Sequence, residues 1–235
     1  MELDGARRRG KTGAVRSVLA IAACGPRLEL ALLFPAAAAP GLVALSGPTP
    51  RSELVMAGVD LLLRAAGLER AGLEGVVATR GPGSFTGVRV ALATAQGLAL
   101  ALGIPAHGYS SLLAQAARTD LPECLAAQPA RRGSVYIQSF ARHERRLEAL
   151  EEPRIVPVAG LAESRCPVVA PVGAVLPSGT PIAATRIGTA EALLELLTRE
   201  GRPDPGTLTP LYLEPPPARQ PTRTAPPWPP SPKAS

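Results

Sequence analysis

Gly81-Pro82-Gly83-Ser84-Phe85-Thr86-Gly87 joins a short apolar run, Val76-Val77-Ala78-Thr79, to a long stretch of helical pattern that begins at Phe85. Three glycines and a proline in seven residues describe a strand-to-helix turn. Its backbone needs conformations and close approaches that larger residues forbid. Ser84 stands where the helix requires an N-cap, which leaves Thr86 and the first helical N–H groups able to face an anion or a partner backbone. The run departs from the P-loop pattern, in which Lys and then Ser or Thr follow the last glycine. Gly81, Gly83, Ser84, Thr86, Gly87 and Arg89 are the candidate contacts for a nucleotide or a partner. A positioning role, holding two lobes or meeting a partner, is favoured over a nucleotide.

Upstream of the loop, residues 17–22 read as a buried strand, and 28–34 and 42–45 as two more, separated by Pro/Gly turns: an antiparallel meander. Thr49-Pro50 reads as an N-cap followed by proline at the first helical position, with a helix running to about Ala66 and stopped by Gly67. A strand over 76–79, a helix over 85–102, a strand over 106–109 and a helix from near Ser111 follow. Beyond Leu121 the pattern loosens. Residues 124–127 and 135–140 read as a strand pair around Ala130-Arg131-Arg132-Gly133. Further strands are expected over 168–170 and 181–184, and an amphipathic helix over 189–199. The expected organisation is a disordered basic extension (1–16), a first lobe with the glycine loop (17–113), a smaller second lobe (114–214) and a proline-rich disordered or polyproline II tail (215–235).

Length and charge narrow the classes. The chain has 235 residues, enough for a sizeable core, but aromatics are only 3%, so that core is built from Ala, Leu and Val. The net charge of +6 invites a nucleic-acid reading. Its distribution argues otherwise: residues 1–16 hold five basic and two acidic side chains, residues 215–235 hold three basic and no acidic ones, and residues 17–214 balance 17 arginines against 17 carboxylates. An autonomous RNA-binding domain needs a basic face of its own. Clusters such as Arg131-Arg132 and Arg142-His143-Glu144-Arg145-Arg146 read first as solvated surface. Cys24, Cys124 and Cys166 are odd in number and form no Cys-x-x-Cys pair, so idle thiols of a reducing compartment are expected. His107 and His143 stand alone, and no metal-ligand spacing exists. With no uninterrupted run of about 18 apolar residues and no signal-peptide pattern, a cytoplasmic protein with no membrane contact is expected.

The block from Gly81 to Ala99, with Gly103-Ile104-Pro105 and Tyr109-Ser110-Ser111-Leu112 after it, resembles the signature of the bacterial TsaB family. Arg51-Ser52-Glu53 stands where that family usually has His-Ser-Glu. Ala130-Arg131-Arg132-Gly133-Ser134-Val135-Tyr136 is similar to its Asp-Ala-Arg-x-Gly-Glu-Val-Tyr, and Pro210-Leu211-Tyr212-Leu213 to its closing Pro-x-Tyr-Leu. The resemblance spans residues 17–214 and is dense over 51–113. It implies an α/β, actin-like ATPase fold (sugar kinase, Hsp70, actin) of two ribonuclease-H-like lobes, the second reduced. It also implies a non-catalytic dimerisation subunit of the tRNA N6-adenosine(37) threonylcarbamoyltransferase complex, serving a TsaD-type catalytic subunit together with a TsaE-type ATPase. Self-association would occur when the partner is absent, and tRNA would be met only within the complex.

The chemistry agrees with that expectation. An ATPase of this fold needs a carboxylate at the end of its first strand to hold Mg²⁺. Where the family commonly carries Asp-Thr-Ser, this chain has Ala22-Ala23-Cys24. Ser84 has no histidine partner visible in sequence for a peptidase mechanism. No catalytic residue, metal or cofactor is therefore assigned. The two helices carry the positive signal. The second is apolar on both sides, with Val88, Leu92, Ala95, Ala99 and Leu102 on one face and Val90, Ala93, Thr94, Gly97 and Ala101 on the other. The first offers Leu54, Gly58, Leu61 and Ala65 on one face and Met56, Val59 and Leu63 on another. Packing on the sheet and on each other accounts for part of this. The sharper expectation is a subunit interface through Met56, Val59, Leu63, Val90, Ala93, Gly97 and Ala101. Two alternatives stay open: a nucleotide-binding phosphotransferase or hydrolase of the same fold, and an RNA-binding module using the basic tails.

Overall fold

The computed structural model describes residues 16–35, 37–144, 146–199 and 208–214. The expected extension over 1–16, apart from Arg16, and the expected tail over 215–235 lie outside the described residues. Two five-stranded sheets organise the rest.

The first sheet has the order β3-β2-β1-β4-β5, from β1 (Val18–Ala22), β2 (Leu28–Leu33), β3 (Gly41–Leu45), β4 (Gly75–Thr79) and β5 (Ala106–Tyr109). The first three strands form the antiparallel meander expected, while β4 and β5 run parallel to β1. All five residues of β1 are buried because both sheet faces are covered. Leu19 and Ile21 face one core with α1 (Arg51–Ala65) and α2 (Phe85–Leu102). Val18, Ala20 and Ala22, the alternate positions, face a second core with α3 (Ser111–Ala116) and α4 (Thr189–Arg199).

The second sheet is built on the long hairpin of β6 (Glu123–Pro129) and β7 (Ser134–His143). β8 (Arg146–Ala149) pairs with the C-terminal half of β7 and β9 (Arg154–Pro157) with its N-terminal half, while β10 (Val168–Val169) runs parallel to β6. Helix α3 is shared: Leu112 and Ala116 pack on the second sheet while Ala114 and Ala117 pack under the first. The mixed first sheet covered by helices on both faces, with the second sheet beside it, is an α/β fold of the actin-like class.

Three local expectations are corrected. Thr49 does not cap α1: Pro50 is the cap residue, with φ −57° and ψ 138° and no side-chain hydrogen bond, and its carbonyl accepts from the Glu53 N–H at 3.0 Å. Residues 181–184 form no strand, only a single bridge between Ile182 and Val168. β8 and β9 were missed, because short half-exposed strands with several charged residues carry no clear period-2 pattern.

Candidate functional site

The glycine loop sits directly on the end of β1. The Ser84 N–H donates to the Cys24 carbonyl at 3.0 Å, and Ser84 Oγ accepts from the Gly87 N–H at 3.2 Å, which caps α2 as the sequence indicates. A Cβ on Gly87 would lie 1.9 Å from the Ala23 carbonyl oxygen, and one on Gly83, whose φ is +150°, 2.7 Å from that of Cys24. On the other side the Ser111 N–H donates to the Gly81 carbonyl at 2.8 Å, and Ser111 Oγ donates to the Pro82 carbonyl. The glycines therefore admit the chain's own backbone. The Ser84 N–H that a phosphate would need is engaged by Cys24, so that part of the expected phosphate cradle is occupied from within.

The cleft between the lobes is closed to match. Cys24, Thr79, Ser111, Gln115, Gln128 and Thr189 are among the residues enclosing a space of about 10 Å³, close to what a single water fills. Cys24 Sγ donates to Thr79 Oγ1 at 3.1 Å, and burial pushes the thiol up to about 11. Glu29, nearly buried, accepts from the Thr189 N–H at 2.6 Å and from Arg27 Nε at 2.9 Å. Arg118 is 2% exposed and donates to the carbonyls of Ala170 (2.8 Å) and Ile187 (3.1 Å) and to Gln115 Oε1 (2.6 Å). Burial lowers its pKa, with the Glu29 carboxylate opposing. Gln128 is buried with both amide atoms unpartnered among the described residues. Glu29, Arg118 and Gln128 were not singled out by the sequence: the partners of the first two lie far along the chain, Thr189 for Glu29 and Ala170, Thr185 and Ile187 for Arg118. No group of three His, Cys, Asp or Glu side chains among the described residues stands close enough to hold a metal.

The interface candidates divide. Val59 and Leu63 are 0% and 3% exposed and belong to the chain's own core, so they are not surface residues as expected. The inward side of α1 is Val55, Gly58, Val59, Leu62 and Leu63, which takes Gly58 from one face drawn on the wheel and Val59 and Leu63 from the other. Met56 and Val90 are half-buried against that core, while Ala93, Gly97 and Ala101 are exposed. Nothing lies within 4 Å of a Cβ placed on Gly97. Leu100 and Leu61, which were not among the interface residues, are 88% and 58% exposed. By length and composition alone, the 18 residues of α2 are apolar enough to cross a membrane, although Arg89 and Gln96 interrupt the run. Here it lies on the first sheet through Val88, Ala91, Leu92, Ala95 and Leu98.

Residues 208–214 run across the loop from α2 to the second sheet. Gln96 Nε2 donates to the Leu208 carbonyl at 3.3 Å, the Leu211 N–H to the Arg80 carbonyl at 2.7 Å, and Tyr136 Oη to Glu214 Oε2 at 2.9 Å. The Phe85 and Tyr212 rings stack at 5.3 Å between centroids and 30°, with the Arg89 guanidinium 4.7 Å from the Phe85 centroid. Of the loop candidates, Thr86 and Arg89 alone are exposed.

Fold and site together define an actin-like α/β protein with little space at the end of β1 and an exposed side on α2. A sequence model of the family described as TsaD, tRNA N6-adenosine threonylcarbamoyltransferase, matches residues 50–175. The Escherichia coli protein named tRNA threonylcarbamoyladenosine biosynthesis protein TsaB is 34% identical over 119 residues, covering 46% of this chain and 52% of that one. The Haemophilus influenzae protein of the same name is 38% identical over 90 residues, 37% and 38% of the two chains. The alignments thus span about half or less of these relatives. The crystal structure of YeaZ from Pseudomonas aeruginosa shares the fold at a TM-score of 0.66 and 24% identity, covering 84% of this chain and all of the other. The chain belongs to the family described as TsaD, and the Escherichia coli and Haemophilus influenzae relatives, 34% and 38% identical, carry the name TsaB.

Proposed function

We propose that this chain acts in tRNA threonylcarbamoyladenosine biosynthesis as a non-catalytic dimerisation subunit that supports a TsaD-type catalytic subunit, with a TsaE-type ATPase completing the assembly. The names of its relatives support the pathway. The observation that carries the subunit role is the outward side of α2, where Ala93, Gly97, Leu100 and Ala101 are exposed, with Leu61 exposed on the neighbouring α1. Small residues there let a partner helix approach closely, and two exposed leucines give it apolar surface to bury. The narrow space of about 10 Å³ around Cys24 and Thr79 agrees with a subunit that contributes no reacting group there. The partner buries the helix face and so stabilises the surface it completes.

Size-exclusion chromatography with light scattering, on the full chain alone and mixed with the TsaD-type protein of the same organism, tests this. A stoichiometric heterodimer that displaces any self-association is expected. A well-folded chain that forms no complex at micromolar concentration overturns the assignment. So does specific ATP turnover by the chain alone, which supports the phosphotransferase alternative.

A further inference from the structure

We propose that the outer mouth of the cleft, where the start of α2, the tip of the β6–β7 hairpin and residues 211–214 meet, is a contact site for single-stranded RNA. An unstacked base lies on Tyr212 and its neighbouring phosphates on Arg131 and Arg132. The first observation is compositional and spatial at once. The chain has only seven aromatic residues, one Trp, three Tyr and three Phe, and three of them, Phe85, Tyr136 and Tyr212, line this one recess together with Arg131. Tyr212 is 40% exposed, and its ring is held in place from behind by Phe85, itself covered by Arg89. An exposed, pre-ordered aromatic face is what an unpaired base needs, because any base can stack on it.

The second observation is charge. Arg131 and Arg132 occupy the exposed tip of the hairpin, and neither forms an ion pair with another described residue. The carboxylate in the recess, Glu214, accepts from the buried Tyr136 hydroxyl at 2.9 Å and so is turned inward. In a segment whose arginines and carboxylates balance, Arg131 shares this recess with the exposed Tyr212, Arg132 follows it on the hairpin tip, and the Glu214 carboxylate is engaged by Tyr136, which makes a local basic, stacking surface. A protein partner would be drawn instead by aliphatic area. The exposed large aliphatic side chains, such as Leu61, Leu100 and Val175, line no part of this recess, and the two leucines that do, Leu211 and Leu213, are half-buried. The choice of RNA rests on the proposed role in tRNA modification, whereas the stacking and phosphate contacts stand without it.

Fluorescence anisotropy with a labelled single-stranded oligoadenylate RNA, titrated with the full isolated chain between about 50 and 200 mM salt, tests the site. Tyr212→Ala is expected to weaken binding by roughly 10-fold or more, with Tyr212→Phe near wild type. Arg131→Ala with Arg132→Ala is expected to reduce the slope of log K against log salt by about 0.7 for each phosphate left without its guanidinium. These arginine side chains form no ion pair that folding needs, so the second variant stays informative if Tyr212→Ala disturbs the segment it sits on. Wild-type binding by Tyr212→Ala, an unchanged salt slope, or equal affinity for the same strand within a duplex overturns the site. Loss of TsaD-type association with RNA binding intact does so too, and marks the recess as a protein contact. Because the readout uses the isolated chain, a failure here leaves the heterodimer measurement untouched.

Discussion

Cys24 and Thr79 close the end of the cleft together, Sγ donating to Oγ1 at 3.1 Å. Thr79 is the last residue of β4, and Cys24 lies just past the end of β1, the strand parallel to it, so this contact marks where the two central strands of the first sheet stop. An ATPase of this fold places a metal-holding carboxylate and a phosphate at that point. Here the position holds a neutral thiol, and the loop that would cradle phosphate leans on the Cys24 backbone instead. The same residues thus leave little space at the end of the two strands.

That thiol gives a pH dependence of known sign. Burial raises Cys24 and Cys124 to about 11 each, whereas an unfolded thiol titrates near 8.5. Below that value both states are protonated and the thiols contribute nothing to the pH profile. Above it the unfolded chain loses protons first, so stability falls as pH rises towards 11. Urea denaturation at stepped pH should show a decline on the order of 2 kcal/mol per thiol over that window, shallower in Cys24→Ala. A profile flat to pH 11 would remove the buried-thiol account.

Two glycines of α2 should respond in opposite directions to the same change. Gly87→Ala forces a Cβ to within 1.9 Å of the Ala23 carbonyl, a backbone atom that cannot swing aside. The expected cost is on the order of 3 kcal/mol despite the better helix propensity of alanine. Gly97→Ala meets nothing within 4 Å and should stabilise by about 0.5–1 kcal/mol. Thermal melts of the two variants decide it, and equal effects would contradict the seating of the loop on β1.

Much of the first lobe was legible because its signals are local. Ser84 and Gly103 bracket α2 in sequence as they do in space, one as a side-chain cap and the other at φ +64°. Buried strands such as β1 need only an apolar run between turns. The second lobe was harder, since β8 and β9 are edge segments whose pairing to β7 is set by tertiary contacts rather than by pattern. The site divides the same way. The loop glycines are local features, but their purpose depends on Ala23 and Cys24, about 60 residues earlier in the chain, and no periodicity reveals that approach. A helical wheel correctly found two apolar faces on α2 yet misjudged α1. The wheel does not know which side of a helix the sheet lies on.

Arg118 joins the shared helix to the second lobe through carbonyls of Ala170 and Ile187. Arg118→Leu removes the donor but leaves those carbonyls and Gln115 Oε1 buried without it, and an expected loss of about 3 kcal/mol follows. Arg118→Lys should recover only part, because one ammonium cannot reproduce a planar fork that spans four acceptors, the carbonyls of Ala170 and Ile187, Gln115 Oε1 and Thr185 Oγ1. Equilibrium unfolding of both variants measures this, and a lysine variant as stable as wild type would show that charge rather than geometry holds the joint.

The helix face separates association from folding by the burial of single residues. Gly97→Arg points into open space, so its unfolding free energy should stay within about 0.5 kcal/mol of wild type while association with the TsaD-type partner is abolished. Met56→Glu is half-buried against the first core; it should block association as well, at a moderate cost in stability. Val59→Glu, at a position with no exposure, should unfold the chain through an unpaired buried carboxylate and therefore says nothing about the interface. Circular dichroism melts paired with light scattering on all three distinguish these outcomes. Unchanged heterodimer formation by both Gly97→Arg and Met56→Glu, in folded protein, would move the interface elsewhere on the molecule.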